Sequence, residues 1–205
     1  MLAVNEIFYS IQGEGAFAGV PMIFIRLAGC NLRCEWCDQP DTIADDYTDS
    51  LGKLWNLKYT KMSETEIMSQ LTTYPCHTVC LTGGEPTVHK LDKLVRMLKE
   101  QGYEIHIETN GTLNPAWMMS VDYITCSPKR DTVVALKRVH ELKYIVDEQF
   151  DHRSLLPVYG CSTYLQPANF KDRVDPVMLQ KALELVKQHP WLKLSVQLHK
   201  LIGVK

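Results

Sequence analysis

Apolar residues along the chain follow two patterns, one typical of strands and the other of helices. Segments with these two patterns alternate along the chain. Short apolar or alternating runs predict strands, and these runs lie at residues 22–27, 78–82, 104–108, 123–126, 142–146, 163–166 and 193–197. A helical period of apolar residues predicts helices over residues 91–101 and from 175 to about 189. Because strands alternate with helices, the pattern indicates an α/β fold with a mostly parallel sheet.

Residues that favour helix ends define these boundaries more closely. Ser63 followed by Glu66 has the spacing of a capping box, so we expect a further helix to begin there. Asp175 directly before a proline indicates the start of the last helix. The polar stretch at about 38–62 follows neither period. We therefore expect a single domain over residues 1–205 with an irregular insertion at about 38–62.

The composition is that of a globular protein and matters mainly for the partners it disfavours. The chain has 205 residues, 22 Lys and Arg against 24 Asp and Glu, and a net charge of −2. This charge is unlike the basic surface of a nucleic-acid-binding protein. Apolar runs stay below the roughly 18 residues of a membrane span, and the N-terminus does not have the pattern of a signal peptide. We expect neither nucleic acid nor a membrane as a partner.

The cysteines indicate the compartment and the kind of chemistry. Seven cysteines occur in the chain, and three of them fall within eight residues. An odd number with such clustering is not typical of a disulfide framework. We therefore expect a cytoplasmic, reducing environment, where clustered cysteines more often bind metal or take part in chemistry.

Cys30, Cys34 and Cys37 form a C-x3-C-x2-C cluster directly after the first predicted strand. Three thiolates can bind three irons of a [4Fe-4S] cluster and leave the fourth iron open to a substrate or cofactor. A zinc site normally takes four protein ligands. His77 or Cys80 could supply a fourth, although neither has the usual paired spacing. The spacing therefore favours an open [4Fe-4S] cluster over zinc.

This cysteine spacing resembles the signature of the radical S-adenosylmethionine superfamily. In that superfamily S-adenosylmethionine chelates the open iron, and reduction of the cluster releases a 5′-deoxyadenosyl radical. Gly83-Gly84-Glu85-Pro86 is similar to the superfamily's GGEP motif, which meets the amino group of the cofactor. The resemblance implies a partial TIM-like barrel rather than a full eight-unit one. We expect Trp36, inside the cysteine loop, to shield the cluster.

The resemblance also implies that loops at the carboxyl ends of several strands face the cofactor. The residues it assigns to the cofactor are Gly83, Gly84, Glu85, Glu108, Asn110, Ser127, Lys129 and Gln166. Each of these loops could instead be an ordinary polar turn, and the residues alone leave both interpretations open.

The N-terminal segment and the tail are similar to those of the 7-carboxy-7-deazaguanine synthase family. The segments that carry this resemblance are SIQGEG at residues 10–15, FIRL at 24–27 and Q-x-H-K at 197–200, and the resemblance extends over essentially the whole chain. It implies a radical ring contraction of 6-carboxy-5,6,7,8-tetrahydropterin to 7-carboxy-7-deazaguanine with loss of ammonia, a step of queuosine and 7-deazapurine biosynthesis. S-adenosylmethionine is regenerated in this reaction.

The same resemblance implies a set of substrate-binding residues. These are Gln12, Gly13, Glu14, Gly15, Arg26, Thr82, His199 and Lys205. Gln12 and Glu14 suit the amide and amino edge of a pterin, and Arg26 and His199 suit a carboxylate. The alternative for Arg26 is a salt bridge at a strand end, and for His199 an ordinary surface position.

The resemblance further implies Mg2+, a homodimer, and flavodoxin or ferredoxin as electron donor. The family commonly has Thr two residues after the third cysteine, where it contacts Mg2+, but this chain has Gln39. The side-chain carbonyl of Gln39 could bind a hard cation, and Asp41 or Thr42 could replace it.

Two other functions remain open from the sequence. A radical S-adenosylmethionine activase of a partner protein shares the cysteine loop and the small size, but does not require the motif at 10–15 or the tail at 197–200. An electron carrier or a zinc-stabilised binding module gives no role to the GGEP motif. Both alternatives predict that a pterin is left unchanged.

Overall fold

The computed structural model describes residues 1–35, 37–49, 51–155, 158, 160–170 and 173–205. Its strands are β1 Leu2–Ile11, β2 Pro21–Leu27, β3 Tyr47–Thr48, β4 Leu54–Trp55, β5 Thr60–Met62, β6 Thr78–Gly83, β7 Glu104–Thr109, β8 Tyr123–Cys126, β9 Glu141–Val146, β10 Ser162–Pro167, β11 Asn169–Phe170, β12 Arg173–Val174 and β13 Leu192–Leu194. Its helices are α1 Glu64–Leu71, α2 Asp92–Glu100, α3 Pro176–Gln188 and α4 Leu198–Ile202. Within these residues no helix is both long and apolar enough to cross a membrane.

The chain divides into two compact units, and it passes between them several times. The first unit, called the cysteine unit here because it contains the cysteine loop, comprises Met1–Tyr9, Met22–Thr109 and Leu113–Tyr123. The second, called the tail unit, comprises Ser10–Pro21, Asn110–Thr112 and Ile124–Lys205.

In the cysteine unit, the strand order is β5-β1-β2-β6-β7. β6 pairs in parallel with both β2 and β7, whereas β5 pairs antiparallel with β1. The largest fully buried side chains of this unit are aliphatic ones from the strands and from the helices α1 and α2. Parallel strands with helices between them place the ends of β2, β6 and β7 at one edge of the sheet.

Local capping explains where the helix α1 begins. The Ser63 hydroxyl accepts a hydrogen bond from the Glu66 amide at 3.3 Å, and the Glu66 carboxylate accepts one from the Ser63 amide at 2.7 Å. This reciprocal pair is the capping box that the sequence predicts. α2 buries Leu94, Val95 and Leu98, so the predicted helical period is confirmed.

In the tail unit, β8, β9, β10 and β13 follow one another as parallel strands. α3 packs on this sheet, and a cluster of buried aliphatic side chains lies between them. Asp175 caps α3, because its carboxylate accepts hydrogen bonds from the amides of Val177 at 2.8 Å and Met178 at 3.2 Å.

Most predicted elements are confirmed, with differences at the two ends of the chain. β1 was not predicted, because its residues alternate between buried and half-buried only near its start. The strand predicted at 193–197 ends at Leu194, and α4 follows it, so the prediction that the chain closes as a strand is wrong. The stretch at 38–62 contains the β3–β4 pair and β5. The single domain with an insertion stays a prediction.

Candidate active site

The cysteine loop leaves β2 and is held by backbone hydrogen bonds. The Cys30 amide donates to the Ile43 carbonyl at 3.0 Å, and the Cys37 amide donates to the Cys34 carbonyl at 3.1 Å. The Leu32 amide donates to the Cys30 sulfur at 3.4 Å. These bonds place the three thiols on one short loop, with each thiol partly exposed. Trp36, the residue expected to shield the cluster, lies outside the described residues.

Burial favours the protonated form of two of the three thiols when no metal is bound. Burial raises the pKa of Cys30, and it raises that of Cys37 to about 12, with the neighbouring thiols adding to both effects. Bound iron supplies the positive charge that stabilises thiolates. Over the described residues, no group of three His, Cys, Asp or Glu side chains lies close enough to hold a single metal ion. A [4Fe-4S] cluster has a different requirement, since each thiolate binds its own iron.

The 38–62 stretch contacts the cysteine loop through Tyr47. The Tyr47 hydroxyl donates to the Cys34 carbonyl at 2.6 Å, and the Tyr47 side chain is buried. Burial raises the pKa of Tyr47 to about 12, so the hydroxyl keeps its proton at neutral pH. In the same stretch, the backbone carbonyl of Gln39 accepts hydrogen bonds from the amide of Thr42 at 3.1 Å and its hydroxyl at 2.7 Å. Gln39 as a Mg2+ ligand stays a prediction.

The GGEP motif follows β6 and lies directly against the cysteine loop. The Gly84 amide donates to the Leu27 carbonyl at 2.9 Å, and the Glu85 amide donates to the Gly29 carbonyl at 2.8 Å. Gly83 has a φ of +124°, and a Cβ at either glycine would collide with the backbone of Leu27 or Gly29. Glycine is therefore required at both positions, because the two loops share backbone hydrogen bonds.

The Glu85 carboxylate is buried and fixed by three hydrogen bonds. Its Oε1 atom accepts from the Thr87 amide at 3.0 Å, the Thr87 hydroxyl at 2.6 Å and the Thr109 hydroxyl at 2.7 Å. Only 1% of the residue is exposed. Thr109 lies between Glu108 and Asn110, which the family resemblance assigns to the cofactor, but it was given no role of its own. Its position at the end of β7 could have indicated it.

Three further predicted residues lie on neighbouring strands of the cysteine unit. Arg26 and Thr82 are partners in the β2–β6 register. The Thr82 hydroxyl donates to the Glu108 carboxylate at 3.3 Å. The Arg26 guanidinium pairs with Glu6 at 3.0 Å and lies over the ring of Phe8. The salt bridge that was the alternative for Arg26 is therefore present.

In the tail unit, the segment from Gln12 to Gly15 meets the C-terminal tail. The Gln12 side-chain oxygen accepts from the Glu14 amide at 3.1 Å, and the Gly13 carbonyl accepts from the Leu198 amide at 2.9 Å. A Cβ on Gly13 would collide with the ring of His199. The structure thus brings together the two segments that carried the narrower family resemblance.

Glu14 is the centre of a charged and polar network. Its Oε2 atom pairs with the Lys143 ammonium, and its Oε1 atom accepts from the Gln197 amide nitrogen at 2.7 Å. The Gln197 oxygen accepts from Lys200 at 2.9 Å and from Asn169. Sequence reasoning missed Lys143, although it lies in a predicted strand.

A second set of contacts holds the backbone after Glu14. The Gly15 amide donates to the Ser195 hydroxyl at 3.1 Å, and that hydroxyl donates to the Gln166 side-chain oxygen at 3.0 Å. The Ala16 amide donates to the buried Glu141 carboxylate at 2.9 Å. Gln166 was predicted to face the cofactor. In the structure its side-chain oxygen accepts from Ser195, whose hydroxyl holds the backbone of the 12–15 segment.

The remaining predicted residues of the tail unit make polar contacts within that unit. The Asn110 side-chain oxygen accepts from the Thr112 amide at 2.9 Å, and the Lys129 ammonium donates to the Ser127 hydroxyl at 2.7 Å. The Lys205 carbonyl accepts from a serine hydroxyl of β1 at 2.5 Å. The first two contacts are compatible with ordinary turns as well as with ligand binding, whereas the Lys205 contact joins residues 195 apart in the sequence.

Comparison with known proteins gives a consistent result over the chain. The family model of the Radical SAM superfamily matches residues 24–124 of the chain. A 7-carboxy-7-deazaguanine synthase from Bacteroides thetaiotaomicron is 37% identical over 206 residues, and the alignment covers 100% of this chain and 100% of that protein. Another from Aquifex aeolicus is 33% identical over 223 residues, covering 100% of this chain and 95% of that protein.

Among solved structures, the crystal structure of QueE from Escherichia coli is similar in fold. It superposes with a TM-score of 0.75 at 29% sequence identity, covering 97% of this chain and 94% of that chain. The predicted α/β fold class with a mostly parallel sheet is therefore confirmed.

Proposed function

The chain belongs to the 7-carboxy-7-deazaguanine synthase family of radical S-adenosylmethionine enzymes, and on this premise we propose that it makes 7-carboxy-7-deazaguanine. The substrate is 6-carboxy-5,6,7,8-tetrahydropterin, and one molecule of ammonia is lost as the ring contracts. The observation that carries this proposal is the identity with relatives of this name over the full length of the chain.

As a member of the superfamily, the enzyme uses a [4Fe-4S] cluster and S-adenosylmethionine. Cys30, Cys34 and Cys37 would hold the cluster, and their placement on one loop supports this role. When bound, the cluster and S-adenosylmethionine supply the radical chemistry. Glu85 would bind the amino group of the cofactor, since its carboxylate is held in place by three hydrogen bonds beside the cysteine loop.

Two sets of residues are proposed for substrate recognition, and each set is described within its own unit. In the tail unit, Glu14 would accept from the N–H donors of the pterin, and Gln12 and His199 would contribute beside it. In the cysteine unit, Arg26 would meet the carboxylate of the substrate by exchanging or sharing its contact with Glu6. The contact between the 12–15 segment and the tail supports the grouping in the tail unit.

Further partners follow from the family and are part of this proposal. We include Mg2+ with Gln39 as a ligand, because a side-chain carbonyl suits a hard cation. A homodimer, flavodoxin or ferredoxin as electron donor, and a cytoplasmic location complete the proposal. Activity measured without Mg2+ tests whether the metal is needed. Titration of activity with Mg2+ in the natural protein and in Gln39→Ala tests whether Gln39 is a ligand. The same titration curve in both proteins would show that Gln39 does not bind the metal.

The decisive experiment measures the product directly. Protein purified without oxygen and reconstituted with iron and sulfide is given S-adenosylmethionine, dithionite, Mg2+ and the pterin, and 7-carboxy-7-deazaguanine is sought by mass spectrometry. We expect product from the natural protein and from Cys161→Ala, a control outside the loop, but none from Cys34→Ala.

Other outcomes separate the alternatives. If S-adenosylmethionine is cleaved while the pterin stays unchanged, the substrate assignment is wrong and an activase becomes the better interpretation. If no four-iron cluster forms, the enzyme class itself is wrong, and a zinc-stabilised module or another binding protein takes its place.

A further inference from the structure

A buried lysine lies beside Glu14 in the tail unit. Lys143 is on β9 and only 5% of it is exposed, and its ammonium forms an ion pair with the Glu14 carboxylate. Lysine is almost never buried to this extent without a partner, because removing its charge from water is costly. The pair also joins positions 129 residues apart in the sequence. Its position therefore requires an explanation beyond general packing.

The second donor to Glu14 has a fixed orientation. The Gln197 oxygen accepts from the Asn169 amide nitrogen and from the Lys200 ammonium, and an ammonium can only donate. The NH2 group of Gln197 must therefore be the end that faces Glu14 Oε1. An N–H donor on Oε1 and an ammonium on Oε2 both favour the ionised carboxylate.

We propose that Lys143 is a positioning residue which, together with Gln197, holds Glu14 as an oriented carboxylate for pterin recognition. This inference rests on the proposed function and names a residue that neither motif nor family resemblance assigned. A carboxylate can accept about four hydrogen bonds, so a Glu14 carboxylate oriented by these donors can also accept from the N–H groups of a pterin edge. A protonated Glu14 would present a donor toward those donors and would disfavour the substrate.

Other charged groups near Glu14 do not replace Lys143. Glu141 lies on the same strand as Lys143 and accepts from the Ala16 amide, and as a carboxylate it cannot neutralise the charge of Glu14. Lys200 donates to the Gln197 oxygen, and the His199 ring packs against Gly13. Removal of the Lys143 charge would therefore take away the ammonium that pairs with the largely buried Glu14 carboxylate.

The test compares Lys143→Met, Lys143→Arg and the control Lys193→Met. Lys193 belongs to the same unit, and its exposed ammonium donates to Ser162. For each reconstituted enzyme, kcat and KM for the pterin are measured from pH 5 to 9, together with cleavage of S-adenosylmethionine. We expect Lys143→Met to lose about 100-fold in kcat/KM. The acid limb of its pH profile of kcat/KM should move to higher pH by about one to two units.

Lys143→Arg should recover most of the activity, because it keeps the charge, and Lys193→Met should match the natural enzyme. Cluster content and uncoupled cofactor cleavage should stay normal throughout. An unshifted acid limb and an unchanged KM in Lys143→Met would overturn the proposal and leave a purely structural lysine. Failure of the proposed function is a different result, because the natural enzyme itself would then form no product.

A second measurement covers the case in which Lys143→Met does not fold. In a Glu14→Gln background the residue at 14 is neutral, so no cation is needed beside it. We expect Lys143→Met to fold in this background and to cause no further loss of pterin affinity. If the losses from the two substitutions simply add, Lys143 does not act through Glu14 and the proposal is wrong.

Discussion

A single hydroxyl group, that of Thr109, helps to orient the carboxylate assigned to the cofactor. We expect Thr109→Val to weaken binding of S-adenosylmethionine about tenfold, because the Glu85 Oε1 atom loses one of its three donors. Thr109→Ser keeps the hydroxyl and should bind normally. Equilibrium binding to the reconstituted protein measures both. Equal affinity in the valine and serine variants would contradict the assigned role.

At this scale the sequence is informative where a residue acts through a short motif. Gly84 and Glu85 could be identified because the GGEP sequence is contiguous. Lys143 could not, because its partner Glu14 is distant in the sequence and a charged residue in a strand normally indicates a solvent-exposed face. Burial of Glu141, Leu142 and Lys143 in succession shows that β9 has both faces covered.

Among the elements, α2, β7 and the turn before β8 are joined by Asp122. Its carboxylate accepts from the Ile105 amide at 2.7 Å and from the Lys99 ammonium at 2.7 Å. Burial tends to raise the pKa of Asp122, but these hydrogen bonds and the Lys99 charge outweigh it, so the pKa lies below its usual value. The ionised form therefore stabilises the fold at neutral pH.

This gives a pH dependence whose sign is fixed. A lowered pKa in the folded state adds stability above the unfolded pKa of about 3.9, and the contribution is lost as the pH falls through the folded value. Asp122→Asn should therefore have a lower free energy of unfolding than the natural protein at pH 7, measured by urea denaturation. The expected difference is about 1 kcal/mol or less, because both members of the ion pair are partly exposed. The difference should shrink toward zero near pH 2. A difference that is equal at both pH values would count against this ion pair.

The elements also show where a pattern is too short to be read. β3 and β4 are two residues each, and β5 is three, so none can display a period. β3 and β4 form by pairing with each other, and β5 forms by pairing with the distant β1. The irregular stretch could thus be located from the sequence, but its contact with the cysteine loop through Tyr47 could not.

For the whole molecule, folding and cofactor binding are thermodynamically linked. A ligand that binds only the folded protein raises the free energy of unfolding, by about 2.7 kcal/mol when present at 100 times its dissociation constant. We expect S-adenosylmethionine to raise the free energy of unfolding of the reconstituted protein by about this amount. Anaerobic thermal denaturation measures the change. Cys34→Ala, which should have no complete cluster, is the matched control. The same shift in that variant would show that binding does not depend on the cluster.

The contact between Gly13 and His199 constrains how this sequence can change over time. A larger side chain at position 13 is excluded while the histidine ring remains in place. A Cβ at position 13 would also approach the His199 backbone nitrogen to 2.9 Å, so a smaller side chain at 199 relieves only part of the clash. These two positions, far apart in the sequence, are therefore expected to co-vary among homologues, and a change at position 13 is expected only where the backbone at 199 has also shifted.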